Sequence, residues 1–311
     1  MTIHNRLWQR AAAGLATLAL LSGCAGTGFS LPGVASHPDG THLAGKVVWH
    51  DLLSDTPAET EAFYRGLFGW EFEALPLQGA NYTLIRHRGR LIGGLVDQNQ
   101  LPTRADVSQW VVVISVADIE AAVAALDAAG GKVLTPPTSL GERGDIAVVT
   151  DVEGAAFALL QTRHGDPADG GARPASGDFL WDELWAADTR RAGAFYRQAL
   201  GYQLAQRELG SAGQALNYQV LSSAGQPRAG LRDLPVQGLK PTWVSYVRVA
   251  DAVELDRTLA KVEGLGGRIL VPATDRPAGG RVALIAGPSG AGIALQTWDE
   301  SAPVGVNGGE Q

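Results

Sequence analysis

The sequence is poor in the residues that build covalent or metal frameworks. It has one cysteine and one methionine in 311 residues, which excludes an intrachain disulfide and a cysteine-built zinc site. Charged residues are scarce at 18% and acidic in balance, with a net charge of −7. No basic excess is left to face nucleic-acid phosphates. No apolar run reaches the roughly 20 residues of a spanning helix. The mean hydropathy of +0.01 excludes both a polytopic membrane protein and a disordered chain. Glycine is plentiful, with 40 residues, which points to a turn-rich fold. At ~100–200 residues per domain, the length allows about two domains.

The N-terminus has the order of a targeting segment. Arg6 and Arg10 give a basic start, Ala11 to Leu21 is apolar, and Leu21-Ser22-Gly23-Cys24 closes it. This resembles a bacterial lipobox, with an ordinary signal peptide as the alternative. The resemblance implies that residues 1–23 are removed and that acylated Cys24 holds the chain on a bilayer. Ala25 in the next position implies the outer membrane, with the protein facing the periplasm. Several acyl chains, at ~0.8 kcal/mol per buried CH₂, suffice for a stable anchor. Cleavage takes away Arg6, Arg10 and Met1, moves the net charge to −9 and leaves no free thiol, which suits an oxidising compartment. The Gly-, Ser-, Thr- and Pro-rich residues 24–45, with His37 and His42, read as a flexible tether.

The rest of the chain repeats itself. Ala62-Phe63-Tyr64-Arg65 recurs as Ala194-Phe195-Tyr196-Arg197, and Trp49-His50-Asp51-Leu52 aligns without a gap on Trp181-Asp182-Glu183-Leu184. Val116-Ala117-Asp118 matches Val249-Ala250-Asp251, and Gly130-Gly131-Lys132-Val133-Leu134 matches Gly266-Gly267-Arg268-Ile269-Leu270. The repeat divides the chain into a first domain (46–162), a Pro-, Gly- and Asp-rich linker (163–177), a second domain (178–298) and a frayed tail (299–311). Within the first copy, strands are expected at 46–53, 82–86, 91–96, 110–116, around 133, 146–150 and 156–161. Helices are expected at 57–68 and 119–129, each stopped by glycine. Each copy therefore reads as βαβββ twice.

These residues resemble the vicinal oxygen chelate superfamily, the group of glyoxalases, bleomycin-resistance proteins and extradiol dioxygenases. The marks are Ala-Phe-Tyr followed by Phe-Gly-Trp (Phe68 to Trp70), the Gly-Gly turn, and a turn before the last strand at Asp151 to Gly154 and at Gly287 to Gly290. The nearest resemblance is to two-domain glyoxalase-like proteins with a Trp-x-acid-Leu first strand. It implies an α+β fold: two tandem domains, each of paired βαβββ modules forming a cupped mixed sheet. Metal-dependent members place ligands on the first and last strands and on the first strand of the second module. Those places fall here on Trp49 and Trp181, Ala158 and Ala294, and Val111 and Val244, none of which ligates a metal. The remaining place, near Asp97 or Asp233, supplies one carboxylate at most. A chain departing so far from the pattern is expected to work without a metal cofactor.

With Trp49 and Trp181 facing the cups, period-two alternation turns Asp51 and Leu53 inward in the first copy. In the second it turns Glu183 and Trp185 inward, with Val244, Tyr246 and Arg248 from the opposing strand. The second cup fits a flat ligand stacked on indoles with polar anchors, or alternatively a dead cup in which Glu183 and Arg248 pair structurally. The first cup reads as plugged. His50 and Asp182 fall on the opposite face, and His87, beside Arg86, Arg88 and Arg90, reads as part of a solvated basic turn.

The leading expectation is a lipid-anchored protein that binds or sequesters a small, partly aromatic molecule. Its candidate ligand-binding residues are Trp181, Glu183, Trp185, Tyr246, Arg248, Trp49 and Asp51. The alternatives are a metal-independent enzyme, with Glu183 raised in pKa as acid or base and Arg248 orienting an anion, and a structural envelope protein with both cups filled. The partners expected are a small molecule and, through Cys24, the bilayer. The sequence leaves the ligand and the oligomeric state open.

Overall fold

A computed structural model describes residues 30–35, 39–77, 80–103, 105–170, 173–209, 216–235, 238–276 and 279–297. The segment expected to be a signal peptide, with Cys24, and the expected tail lie outside the described residues. The first half runs β1 (Val47–Ser54), α1 (Pro57–Phe68), β2 (Glu71–Leu77), β3 (Ala80–His87), β4 (Arg90–Asp97), β5 (Gln109–Ser115), α2 (Ile119–Ala128), β6 (Lys132–Ser139), β7 (Gly144–Thr150) and β8 (Ala156–Thr162). The second runs β9 (Phe179–Ala186), α3 (Thr189–Leu200), β10 (Gln203–Leu209), β11 (Leu216–Ser223), β12 (Gln226–Asp233), β13 (Thr242–Val249), α4 (Ala252–Val262), β14 (Arg268–Asp275), β15 (Arg281–Ala286) and β16 (Gly292–Thr297).

Each half forms one cupped eight-stranded sheet, in the order β2-β3-β4-β1-β5-β8-β7-β6 and β10-β11-β12-β9-β13-β16-β15-β14. The two βαβββ modules of a half meet along the antiparallel pair β1/β5 or β9/β13. β2 has no counterpart among the expected segments, because its alternation of Glu71 and Glu73 with Phe72 is short and follows the helix directly. Asp118, Asp188 and Asp251 cap α2, α3 and α4 by accepting backbone N–H groups. α1 and α3 end at Gly69 and Gly201, both left-handed.

The helices lie between the two sheets. One core joins β5, β7, β8 and α2 of the first half to β9, α3 and β12 of the second, through Val112, Phe157, Leu184 and Phe195. Its counterpart joins β1 and α1 to β13, α4 and β16, through Leu52, Phe63, Trp70, Val247 and Leu295. The repeat-related His50 and Asp182 meet across this interface, Nε2 to Oδ1 at 3.0 Å, with Phe179 stacked on the imidazole at 3.7 Å. His87 is also buried, not solvated as expected. Its Nδ1 lies 2.7 Å from Asp178, which also accepts from Arg90. Asp178, at the start of the second half, thus draws the Arg86–Arg90 turn onto that half.

The tether reading fails over the described residues 30–35. Leu31 and Val34 are buried in the first cup, and the Leu31 amide donates to the Leu140 carbonyl at 2.9 Å. Two apolar side chains in a polar stretch found a cup to fill. The linker is likewise held: Asp166 accepts from Ser115 Oγ at 2.6 Å and from Thr162 Oγ1 at 2.9 Å. Among the described residues, no helix is long and apolar enough to cross a membrane.

Candidate functional site

Both cups are built on one polar motif. In the first, Trp49 and Asp51 of β1 share the concave face. The Trp49 indole N–H lies 2.9 Å from the Tyr82 hydroxyl and 3.0 Å from Asp51 Oδ1, and Tyr82 donates to that oxygen at 2.6 Å. Arg143, just before β7, donates to the Tyr82 hydroxyl at 2.7 Å and to the Pro32 carbonyl at 3.0 Å, and lies 4.2 Å from the Trp49 ring. Leu31, Val34, Val107 and Leu140 close the space above, all buried.

In the second cup, the Trp181 N–H donates to the Tyr218 hydroxyl at 2.9 Å, and Tyr218 donates to Glu183 Oε1 at 3.1 Å. Arg276 Nη2 reaches the same oxygen at 2.6 Å. Glu183 Oε2 accepts from the Trp185 indole at 3.2 Å and from the Tyr246 hydroxyl. Arg276 also donates to Gln296. Glycine makes the close approach possible in both copies: a Cβ on Gly94 would stand 1.9 Å from the Tyr82 hydroxyl, and one on Gly230 2.1 Å from that of Tyr218.

Glu183 is completely buried. Burial alone would raise its pKa, but the Arg276 and Arg232 charges, with the Tyr246 and Arg276 hydrogen bonds, hold it below the ordinary carboxylate range. Burial pushes the Tyr82, Tyr218 and Tyr246 hydroxyls up, so they remain protonated donors. This overturns the expectation of a raised Glu183. A carboxylate already ionised, enclosed and saturated by donors is a poor proton shuttle.

The structure brings Trp181, Glu183, Trp185 and Tyr246 together, and Trp49 with Asp51 in the other cup. The guanidinium bonded to Glu183 is that of Arg276, not the Arg248 expected to pair with it. Arg248 lies at the end of β13, where its backbone amide donates to the Asp178 carbonyl and its carbonyl accepts from Gly177. Sequence reasoning missed Tyr82, Tyr218, Arg143 and Arg276. The tyrosines left a signal, Asn81-Tyr82 against Asn217-Tyr218 upstream of Gly94-Leu95 and Gly230-Leu231. The arginines left none, because they stand at different distances before β7 and β15.

The residues at the family's metal positions do not form a donor set. Trp49, Val111 and Ala158 pack in one apolar cluster, and Val244 and Ala294 in another with Trp181 against them. Asp51 and Glu183 already serve the Tyr, Trp and Arg donors around them. Among the described residues, no three His, Cys, Asp or Glu converge.

The cups differ at the mouth. In the first, Trp49 is buried beneath Leu31 and Val34, with Leu75, Leu91, Val96, Leu101, Ala105 and Leu134 partly buried around that cluster. Around the second, Trp181, Leu234, Leu239, Leu270, Val271 and Val282 are only partly buried.

Comparison with known proteins agrees with the architecture. The family model described as Glyoxalase/Bleomycin resistance protein/Dioxygenase superfamily matches residues 42–159 and 180–295. A Mycobacterium tuberculosis protein named "Putative glyoxylase CFP32" is 29% identical over 78% of this chain and 91% of its own length. The anthracycline biosynthesis protein DauV of a Streptomyces species is 30% identical over 85% of this chain and 97% of its own. Among solved structures, the Mn(II)-bound glyoxalase of Novosphingobium aromaticivorans superposes with a TM-score of 0.56 at 15% identity, covering 83% of each chain. The 2,3-dioxygenase LapB of a Pseudomonas species gives 0.55 at 15% identity, over 86% of this chain and 96% of its own. At such identities the structural likeness speaks for the fold alone.

Proposed function

The chain belongs to the Glyoxalase/Bleomycin resistance protein/Dioxygenase superfamily, and within it we propose a lipid-anchored, periplasm-facing protein that binds or sequesters a small, partly aromatic molecule in its second cup. The observation that carries the binding reading is the asymmetry of the cups. The first is filled by Leu31 and Val34. The second keeps a half-buried indole, Trp181, among partly buried aliphatic residues above a saturated polar floor. Apolar walls with a few fixed polar groups are the usual make-up of a small-molecule site. A relative named for anthracycline biosynthesis is compatible with an aromatic ligand. The anchor rests on the lipobox-like sequence ending at Cys24.

The test is native mass spectrometry of the protein beginning at Ala25, purified without chelator, beside its Trp181→Ala form. A retained small molecule that is lost in Trp181→Ala supports the reading. A stoichiometric metal, or turnover abolished by Glu183→Gln with binding intact, overturns it in favour of an enzyme. Replacing Cys24 by alanine in the full chain tests the anchor, and is expected to move the protein from the membrane to the soluble fraction.

A further inference from the structure

The second cup contains one guanidinium more than its carboxylate engages. Arg276 takes Glu183 Oε1 directly. Arg232, on β12, pairs in register with Trp185 of β9 and Tyr218 of β11. Two residues beyond Gly230, it shares the concave face. Its guanidinium lies 5.9 Å from the centre of the Trp185 ring. Its charge acts on Glu183, yet no carboxylate comes within ion-pair distance of it among the described residues, and its buried Nε has no hydrogen-bond acceptor. A buried donor without an acceptor is a cost that folding normally avoids. Arg232 itself is only half-buried, so a solute entering the cup can reach it.

The repeat shows that a charge at this position on the sheet is particular to one cup. Where the second copy has Arg232, the first has Val96, and where it has Trp185 and Tyr246, the first has Leu53 and Val113. The second cup has thus gained two aromatic rings and an unmatched cation together, while the first has aliphatic residues at all three places. A neutral aromatic ligand would use the rings and leave the guanidinium unmatched. An aromatic ligand carrying a carboxylate, sulfonate or similar anion would use both, since guanidinium pairs with such groups through paired N–H donors.

We propose that the second cup selects aromatic anions, with Arg232 as the anion-binding residue and the Trp181 and Trp185 indoles as the ring platform. The proposal rests on the binding reading above and adds the chemical class of the ligand.

Two fluorescent probes with one aromatic skeleton test it: 8-anilinonaphthalene-1-sulfonate, and N-phenyl-1-naphthylamine, which lacks the sulfonate. Each is titrated into the protein beginning at Ala25 and followed by energy transfer from tryptophan. The sulfonate is expected to bind about tenfold more tightly than the neutral probe. Arg232→Gln should bring the two affinities together by weakening the sulfonate alone, and Arg232→Lys should retain part of the preference. Thermal melting checks that each variant is folded, and the lysine variant keeps the test open if the glutamine one is not. Equal affinities in the unaltered protein, or an undiminished preference in Arg232→Gln, overturn the anionic class while leaving aromatic binding in place. If neither probe binds, the binding reading falls and the proposal falls with it.

Discussion

Asp151 closes the turn before β8 by accepting from the Glu153 and Ala155 amides at 2.8 and 2.9 Å, and the Tyr196 hydroxyl of the other half reaches its second oxygen at 3.3 Å. Burial nevertheless dominates and raises its pKa to about 6. The folded state thus holds this proton more tightly than the unfolded chain does. Below about pH 4 the carboxyl is protonated in both states. As pH climbs towards 6 the folded state loses up to about 3 kcal/mol relative to the unfolded chain, and above that the loss is constant. Asp151→Asn keeps an acceptor for the two amides and removes the titration. Urea unfolding from pH 4 to 7 should show the unaltered protein losing stability relative to Asp151→Asn across that interval. Parallel curves would show that the carboxyl is not buried as described. Glu183 has the opposite linkage: its lowered pKa contributes stability above the usual carboxylate range, which is lost as pH falls.

At the scale of the element, the segment 30–35 behaves as part of the first domain's core. Leu31 and Val34 join Trp49, Leu53, Val111 and Val148. The segment is fixed at both sides of Arg143: the Glu142 amide donates to Ser30 Oγ at 2.9 Å, and Arg143 Nε donates to the Pro32 carbonyl. Leu31→Ala should therefore lower the unfolding free energy by about 2–3 kcal/mol, as for a buried leucine. A surface tether would tolerate it within about 0.5 kcal/mol, and denaturant titration separates the two. This is also where sequence reading stopped short. α1 was legible at both ends, from Pro57 and Gly69. Leu31 and Val34 were not, because two apolar residues among glycine, serine and proline carry no period.

For the whole molecule, the decisive feature is that neither sheet covers its own convex face. Each of the two large cores draws residues from both halves. The contacts across the interface are polar as well as apolar. Trp70 donates its indole N–H to the Gly177 carbonyl at 2.8 Å, and Glu153 accepts from the Ala187 and Asp188 amides at the start of α3, at 2.8 and 2.9 Å. Residues 46–162 or 178–298 produced alone would expose a full sheet face with its helices. Each is expected to aggregate or lose near-UV dichroism, and the two produced together should recover one cooperative unfolding transition. Two separately folded halves with independent transitions would contradict the shared core.

By itself the sequence determined the duplication, the βαβββ order and which residues of the first strands share a face, because these depend on repeats, period and local caps. It also put Trp49, Val111 and Ala158, none of which ligates a metal, where the family resemblance leads one to expect ligands. Only the tertiary structure decided what touches what. Arg276 rather than Arg248 reaches Glu183 because the residue that directly follows β14 stands within hydrogen-bond distance of that carboxylate. Glu183 is held ionised because the charges and hydrogen bonds converging on it outweigh the cost of burial. The first cup is filled by the segment preceding β1, and His50 faces Asp182, because contacts between distant parts of a chain leave no period for a sequence to display.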